Sequence, residues 1–302
     1  MLGTQSAFRR AALRGLGAVP AARPLSSAAK TVPLVYDLHE PPRPACDKHT
    51  SPILFMHGLF GSKKNNRSIS RAISRDLGRY VYALDLRNHG ESPHVPRHDY
   101  MAMADDVEAF IAEHKIKDPT LIGHSMGAKT AMTVALRSPD LVNNIIAVDN
   151  APVDASLGSD FGKYIQAMKK VEAAGVKSLK EADKILEEVE KDVAVRQFLL
   201  GNLYRPEGQT TRKFRVPLNT IAKELNHMGD FPFKDPSVVR FEKPALFIRG
   251  TRSKYVPDEV LPLIGQFFPL FELVDIDAGH WVISENPEAF RQAVLRFLGP
   301  KE

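Results

Sequence analysis

The sequence predicts an α/β fold, a mostly parallel sheet flanked by helices and interrupted once by a helical insertion. Three observations carry this reading. Short apolar runs alternate with stretches of helical period, the pattern of parallel strands joined by crossover helices. The pattern G-x-S-x-G, at Gly123-His124-Ser125-Met126-Gly127, stands between the apolar run Thr120-Leu121-Ile122 and the helix-forming run Ala128 to Leu136. The alternation then fails from about Pro152 to Arg240, where the chain is charge-rich and helical in pattern.

Taken in order, Pro33 to Leu38 reads as an edge strand, and Ile53 to Met56 as a short buried strand running into His57-Gly58. Ile69, Ile73 and Leu77 recur every four residues and mark one helix face. Tyr80 to Leu84 is a strand closed by Asp85, and Val107, Phe110 and Ile111 give the next helix. Leu121-Ile122 and the helix after Gly127 follow, then strand Ile145 to Val148, ending at Asp149. Two more strands, Ala245 to Ile248 and Phe271 to Val274, precede a helix from Pro287 to Leu298. Within the insertion, Ile185, Leu186 and Val189 form one helix face and Val195, Phe198 and Leu199 another. Leu203, Tyr204 and Phe214 are candidates for insertion core, pocket lining or interface, and core is favoured. The expected organisation is a leader at residues 1–32, a core at 33–151 and 241–302, and a helical cap at 152–240. A cap there lies over the carboxyl ends of the strands, where open α/β sheets bind ligands.

The G-x-S-x-G segment fits a nucleophile elbow, a sharp strand-to-helix turn that exposes a serine hydroxyl. Serine is weakly nucleophilic by itself, so Ser125 needs a base. His280 fits that role: Asp277-Ala278-Gly279-His280-Trp281 follows the last strand, and Gly279 permits a tight loop. His124 is expected to pack within the elbow, His57 to support its loop, and His89 to sit in a turn. The acid is less obvious. The loop after Ala245–Ile248 reads Gly250-Thr251-Arg252-Ser253-Lys254-Tyr255-Val256, with Ser253 where a carboxylate is common. A hydroxyl cannot stabilise an imidazolium as a carboxylate does. Asp149, at the end of the strand next to the elbow strand, is therefore the favoured acid. Asp258 is the rival, with helix capping as its structural role, and Ser253 is a candidate support for the His280–Asp149 pair. The oxyanion donors are expected at the backbone N–H of Met126 and of Leu59, in preference to Phe60, within His57-Gly58-Leu59-Phe60-Gly61. The turn Asp85 to Ser92 reads as structural, with Gly90 at the bend and Arg87 and Ser92 as loop hydrogen-bonders.

Bulk properties exclude other classes. No apolar run reaches the roughly 18 residues of a membrane span. The single cysteine, Cys46, allows no intrachain disulfide and no cysteine-based zinc site. There is no Walker loop, dinucleotide fingerprint or H-E-x-x-H, so no cofactor and no metal is implied. The formal charge of +5 invites a nucleic-acid reading, but its location opposes one. Arg9, Arg10, Arg14, Arg23 and Lys30 are the only charges before Asp37, and without those five the 41 Lys and Arg fall to 36, against 36 Asp and Glu. An arginine-rich, acid-free, alanine-rich segment with Ser26-Ser27 is the composition of a mitochondrial transit peptide, cleaved between Arg23 and Val32. The expected location is the matrix.

Several segments together resemble one family. They are His57 to Ser62, Arg87-Asn88-His89-Gly90, Gly123 to Gly127, Val148-Asp149 with Ala151-Pro152-Val153, Ala194-Val195-Arg196-Gln197 and Gly279-His280-Trp281. The set is similar to the α/β-hydrolase superfamily, and within it to the mitochondrial α/β-hydrolase domain-containing protein 11 group, which includes fungal ethanol acetyltransferase-like proteins. The resemblance spans about Leu34 to Leu298; Ala128 departs from it, where a third glycine is frequent. It implies an α/β-hydrolase fold with an eight-stranded type of sheet, a catalytic set Ser125, Asp149 and His280, and a triad acid at Asp149. The implied activity is cleavage of a carboxyl ester or thioester through an acyl-serine. The alternatives are an alcohol acyltransferase using acyl-CoA and an alcohol on the same residues, and a non-catalytic binding protein, which the intact Ser125, Asp149 and His280 oppose. The implied partner is a small acyl ester or thioester, with no nucleic acid; oligomeric state is open.

Overall fold

The computed structural model describes residues 31–43, 51–154 and 159–299. The transit-peptide reading falls on residues outside these up to Lys30, as does Cys46. Thr31–Glu302 clusters as one compact unit.

The first half of the chain forms β1 (Tyr36–His39), β2 (Ile53–Met56), α1 (Arg67–Leu77), β3 (Val81–Leu84), α2 (Tyr100–Glu113), β4 (Thr120–His124), α3 (Met126–Arg137) and β5 (Asn144–Val148). The insertion contributes α4 (Ser159–Ala173), α5 (Leu179–Leu186), α6 (Val193–Leu200), β6 (Leu203–Tyr204), β7 (Lys213–Phe214) and α7 (Leu218–Glu224). The chain closes with β8 (Ala245–Gly250), α8 (Leu261–Phe267), β9 (Phe271–Ile276), α9 (Val282–Glu285) and α10 (Pro287–Leu298). Among the described residues seven strands form the main sheet, in the order β1-β3-β2-β4-β5-β8-β9. Only β1 is antiparallel, against β3. A second antiparallel strand, which an eight-stranded sheet would need, is not among the described residues; Pro41 and Pro42, directly after β1, have no N–H to give a ladder.

The central strands β2, β4, β5 and β8 are buried on both faces, and their side chains alternate between two cores. Leu54, Met56, Leu121, Ile145, Ala147 and Phe247 enter one; Ile53, Phe55, Ile122, Ile146, Val148 and Ile248 enter the other. Ile69 and Ile73 of α1 and Phe290, Val294 and Phe297 of α10 close the second face. Met103, Val107 and Phe110 of α2 with Ala131 and Ala135 of α3 close the first. Ile165, Met168 and Leu199 of the insertion join that first core, so the insertion packs as a continuation of one face of the sheet.

The edge strand begins later than the sequence predicts, because Pro33 cannot donate to a ladder and Val35 is bonded instead to the turn after β3: its N–H donates to Ser92 Oγ at 2.9 Å and its carbonyl accepts from Asp85 N–H at 2.8 Å. Val32, assigned to the leader from sequence, belongs to the folded body: it is buried, and its N–H donates to Asp106 Oδ1 at 2.8 Å. Helix starts follow side-chain capping, by Asp99 for α2, Ser178 for α5, Asp192 for α6 and Asn286 for α10.

The end of the insertion is tied to the core by two long side chains. Tyr100 Oη donates to the carbonyl of Met228 at 2.8 Å. Buried Lys129, on α3, donates to the carbonyls of Gly229 and Asp230 at 2.8 and 3.0 Å, with the Tyr100 ring 5.6 Å from its ammonium. Burial pushes Lys129 down to about 8. No helix among the described residues is long and apolar enough to cross a membrane.

Candidate active site

Ser125 connects β4 to α3 with φ 54° and ψ −113°, a conformation that costs roughly 1–3 kcal/mol in a non-glycine residue and persists only under surrounding restraint. The restraint is close packing. A Cβ on Gly123 would stand 2.1 Å from the carbonyl oxygen of Gly127, and one on Gly127 would stand 2.5 Å from that of Met56. Neither position tolerates a side chain, so the elbow requires both glycines. Ala128, the departure from the family pattern, is buried within α3 and keeps the helix intact.

Three residues from three separate loops meet here. His280 Nε2 lies 3.0 Å from Ser125 Oγ, and His280 Nδ1 lies 2.7 Å from Asp149 Oδ2. A carboxylate only accepts, so Nδ1 carries the imidazole proton and Nε2 is left to accept from the serine hydroxyl. Asp149 is fully buried. Its Oδ1 accepts from Gly250 N–H at 3.0 Å, and its Oδ2 also accepts from Ser253 Oγ at 2.5 Å. Asp258, the rival acid, starts a short 3₁₀ turn without capping it, is 79% exposed and pairs with Arg249 at 2.6 Å.

The imidazole is held on all sides. Tyr255 stacks on it at 4.0 Å, and burial near Asp149 pushes the Tyr255 phenol up to about 12. His124 Nε2 donates to the His280 carbonyl at 2.7 Å, a bond beyond the packing role predicted for it. Glu285 accepts from the N–H groups on either side of His280, those of Gly279 and Trp281, at 2.7 and 3.2 Å. Tyr255 and Glu285 were invisible as site residues in the sequence, since ring stacking and loop carboxylates leave no motif.

The loop expected to supply an oxyanion donor follows β2. Gly61 N–H donates to the Gly58 carbonyl at 2.9 Å, closing a turn in which Phe60 takes a φ of 63°. Phe60 N–H is already engaged, donating to His89 Nε2 at 3.1 Å. The N–H groups of Leu59 and Met126 have no hydrogen-bond acceptor among the described residues. His89 thus does more than occupy a turn. His57 supports the same loop: its Nδ1 donates to the Gly58 carbonyl at 2.8 Å and its Nε2 accepts from Leu86 N–H at 3.1 Å. The turn after β3 is braced by Ser92 Oγ donating to the Asp85 carbonyl at 2.7 Å within it, and by Arg87 bidentate on Asp106 of α2 at 2.6 and 2.7 Å.

A cavity of about 640 Å³ adjoins this constellation without containing Ser125. Gly58, His124, Ile69, Phe198 and Trp281 are among its walls, and Phe198 meets Trp281 at 4.4 Å between ring centres. Phe198, read from sequence as part of a helix face in the insertion, lines this cavity.

A serine elbow at the carboxyl edge of a doubly flanked parallel sheet, with histidine and carboxylate supplied by later loops, defines an α/β hydrolase. The comparisons with known proteins agree. A family model for the alpha/beta hydrolase fold matches residues 51–175. A probable alcohol acetyltransferase of Saccharomyces cerevisiae is 42% identical, covering 83% of this chain and 78% of that one. The sn-1-specific diacylglycerol lipase ABHD11 of Xenopus tropicalis is 40% identical, covering 90% and 83%. Among solved structures, a marine microorganism esterase superposes with a TM-score of 0.80 at 32% identity, covering 88% of this chain and all of that one. The chain belongs to the α/β-hydrolase family, in the group of ABHD11 and the fungal alcohol acetyltransferases, and is an enzyme of the ester-hydrolase class.

Two outcomes follow from the geometry. Asp149→Asn is expected to lower kcat by up to ~10⁴-fold, as loss of the imidazole-orienting carboxylate does elsewhere, whereas Asp258→Asn leaves kcat within about twofold; steady-state kinetics on a chromogenic ester checks both, and the opposite ranking moves the acid to Asp258.

The second outcome concerns pH. Burial lowers His57 and His89, pushes His98 to about 3 and pushes His124 to about 4. Each folded value lies below the unfolded one near 6.5, so as pH falls below 6.5 the unfolded chain binds protons that the folded one refuses, down to about 4 for His124 and about 3 for His98. Their stabilisation is complete above pH 6.5 and is lost as pH falls towards 4. Urea unfolding between pH 6.5 and 4 should lose up to about 1.4 kcal/mol per pH unit for each of His98 and His124, and His98→Gln should flatten the slope. A pH-independent midpoint would contradict it.

Proposed function

We propose that this enzyme is a mitochondrial serine hydrolase that cleaves carboxyl esters or thioesters through an acyl-Ser125 intermediate. The observation that carries the reading is the hydrogen-bonded chain Ser125 Oγ, His280 and Asp149, at 3.0 and 2.7 Å. In the proposed cycle Ser125 Oγ attacks the acyl carbon while His280 Nε2 takes its proton. The oxyanion accepts hydrogen bonds from Leu59 and Met126 N–H, and Asp149 stabilises the imidazolium. Collapse expels the alcohol or thiol, which receives the proton from His280. A water molecule then gives its proton to His280 and its oxygen to the acyl carbon, releasing the acid and restoring Ser125. Ser253 holds Asp149 in place for both halves. The apolar part of the neighbouring cavity suits an alkyl or acyl chain. The diacylglycerol lipase and esterase relatives support ester substrates.

The likeness to a probable alcohol acetyltransferase supports a second reading, in which an alcohol replaces water in the deacylation. Purified enzyme incubated with acetyl-CoA or a p-nitrophenyl acyl ester, with and without ethanol, separates the two by product. Free acid that disappears in Ser125→Ala is the expected result. Ethyl ester as the main product would replace hydrolysis with transfer, and turnover that persists in Ser125→Ala would remove the nucleophile assignment.

The matrix location rests on the acid-free, arginine-bearing leader. Because Val32 is part of the folded body, processing is expected upstream of it. Removal of residues 1–30 should abolish import into isolated mitochondria while activity in solution is retained; normal import of the shortened chain would refute the location.

A further inference from the structure

We propose that Asn202, in the insertion, is a positioning residue for the oxyanion site and acts through the carbonyl of Phe60. The inference rests on the acyl-serine reading above. Phe60 is the residue next to the proposed donor Leu59. It is buried and holds a φ of 63°, which a bulky side chain adopts only when the surroundings impose it. Both of its backbone polar groups are tied, and to different parts of the fold. Its N–H donates to His89, in the turn after β3. Its carbonyl accepts from Asn202 Nδ2 at 2.5 Å, across 142 positions of sequence.

Asn202 is well placed to hold that carbonyl. It is 5% exposed and stands between the end of α6 and β6. Its own backbone is fixed on both sides: its N–H donates to the Leu199 carbonyl at 3.1 Å, and its carbonyl accepts from Arg215 N–H at 2.9 Å, beside β7. The Phe60 ring also meets Phe161 of α4, at 5.9 Å. The peptide planes on either side of Phe60 are thus clamped between the core, through His89, and the insertion, through Asn202. The plane that Asn202 holds also carries the Gly61 N–H, which donates to the Gly58 carbonyl at 2.9 Å, and that carbonyl shares its peptide plane with the Leu59 N–H. Without Asn202 the turn is free to relax from its left-handed geometry, and the Leu59 donor tilts away from the place where negative charge develops. Substrate binding elsewhere is untouched, so the loss falls on the transition state.

The test uses the purified enzyme, a p-nitrophenyl acyl ester and a trifluoromethyl ketone that forms a tetrahedral adduct with the active-site serine. Asn202→Ala is expected to lower kcat by about 10- to 100-fold, the scale of an ångström-level misplacement. KM should change less than about threefold, and affinity for the ketone should fall in step with kcat/KM. Asn202→Asp should be at least as slow, since a carboxylate has no N–H to give and repels the Phe60 carbonyl. Asn202→Ser, which keeps a donor, should retain more activity than either; if Asn202→Ala does not fold, the Ser and Asp variants carry the comparison. Unchanged kcat, or a loss of activity with unchanged ketone affinity, overturns the proposal. If wild-type turnover does not depend on Ser125, the acyl-serine reading fails instead, whatever Asn202 does.

Discussion

The carboxylate of Asp149 is the point on which the site is assembled. It is fully buried, and an ionised carboxylate in that position is tolerable only if its lone pairs are taken. Three donors take them: Gly250 N–H from the end of β8, Ser253 Oγ from the loop after it, and His280 Nδ1 from the loop after β9. Because β5, β8 and β9 are neighbours in the sheet, these loops leave the same edge side by side. Asp149 N–H donates to the Ile248 carbonyl at 2.7 Å, extending the β5–β8 ladder one residue beyond Val148. Its φ of 51° then ends the strand. Asp149, the proposed acid, thus stands at the end of β5, three residues before the insertion begins.

The rest of the machinery is built by close approach of backbones. A Cβ on Gly250 would lie 2.2 Å from the Gly279 carbonyl oxygen, so the end of β8 and the histidine loop touch directly. Glu285, His124 and Tyr255 then hold that loop and its ring from three directions. Such restraint matters because a triad histidine must keep one nitrogen on the acid while the other serves first the serine and then the incoming nucleophile. The oxyanion loop is restrained in the same style, by two neutral histidines whose tautomers are set by what their second nitrogen contacts.

What could be read from the sequence was local. The parallel strands are short and apolar on both faces, so their runs stand out, and the bounds of α10 agree at both ends because Pro287 and Gly299 punctuate it. The elbow was legible because its two glycines are sterically required. Asp149 was a candidate acid by elimination, because Ser253 occupies the commoner acid position, and by the family resemblance; the structure brings the two into contact, which the chain order alone does not reveal. The start of β1 was misplaced because Pro33 and the Ser92 hydroxyl, not hydropathy, decide where pairing begins. Asn202, Lys129, Tyr255 and Glu285 could not be found, because each acts on a group distant in sequence or through a contact without a motif. His89 was readable as a turn residue but not as the acceptor for Phe60, 29 positions away.

The balance between hydrolysis and transfer is then a matter of water rather than of triad chemistry. An alcohol at about 10 mM competes with water at about 55 M, so transfer dominates only with a preference of ~5,000-fold, about 5 kcal/mol of barrier difference. Burying the two carbons of ethanol supplies about 1.6 kcal/mol at ~0.8 kcal/mol per carbon. Affinity for so small an alcohol leaves most of the difference unmet. The remainder has to come from denying water an aligned approach to the acyl carbon. Ser125 is 6% exposed, and Phe198 of the insertion meets Trp281 beside the histidine loop at 4.4 Å between ring centres. If the neighbouring cavity takes the substrate, as proposed, a longer alkyl or glyceryl group would bury more carbons against Ile69, Phe198 and Trp281 and displace water. On these magnitudes the proposed acyl-serine chemistry favours an apolar ester over an acetyl group destined for ethanol.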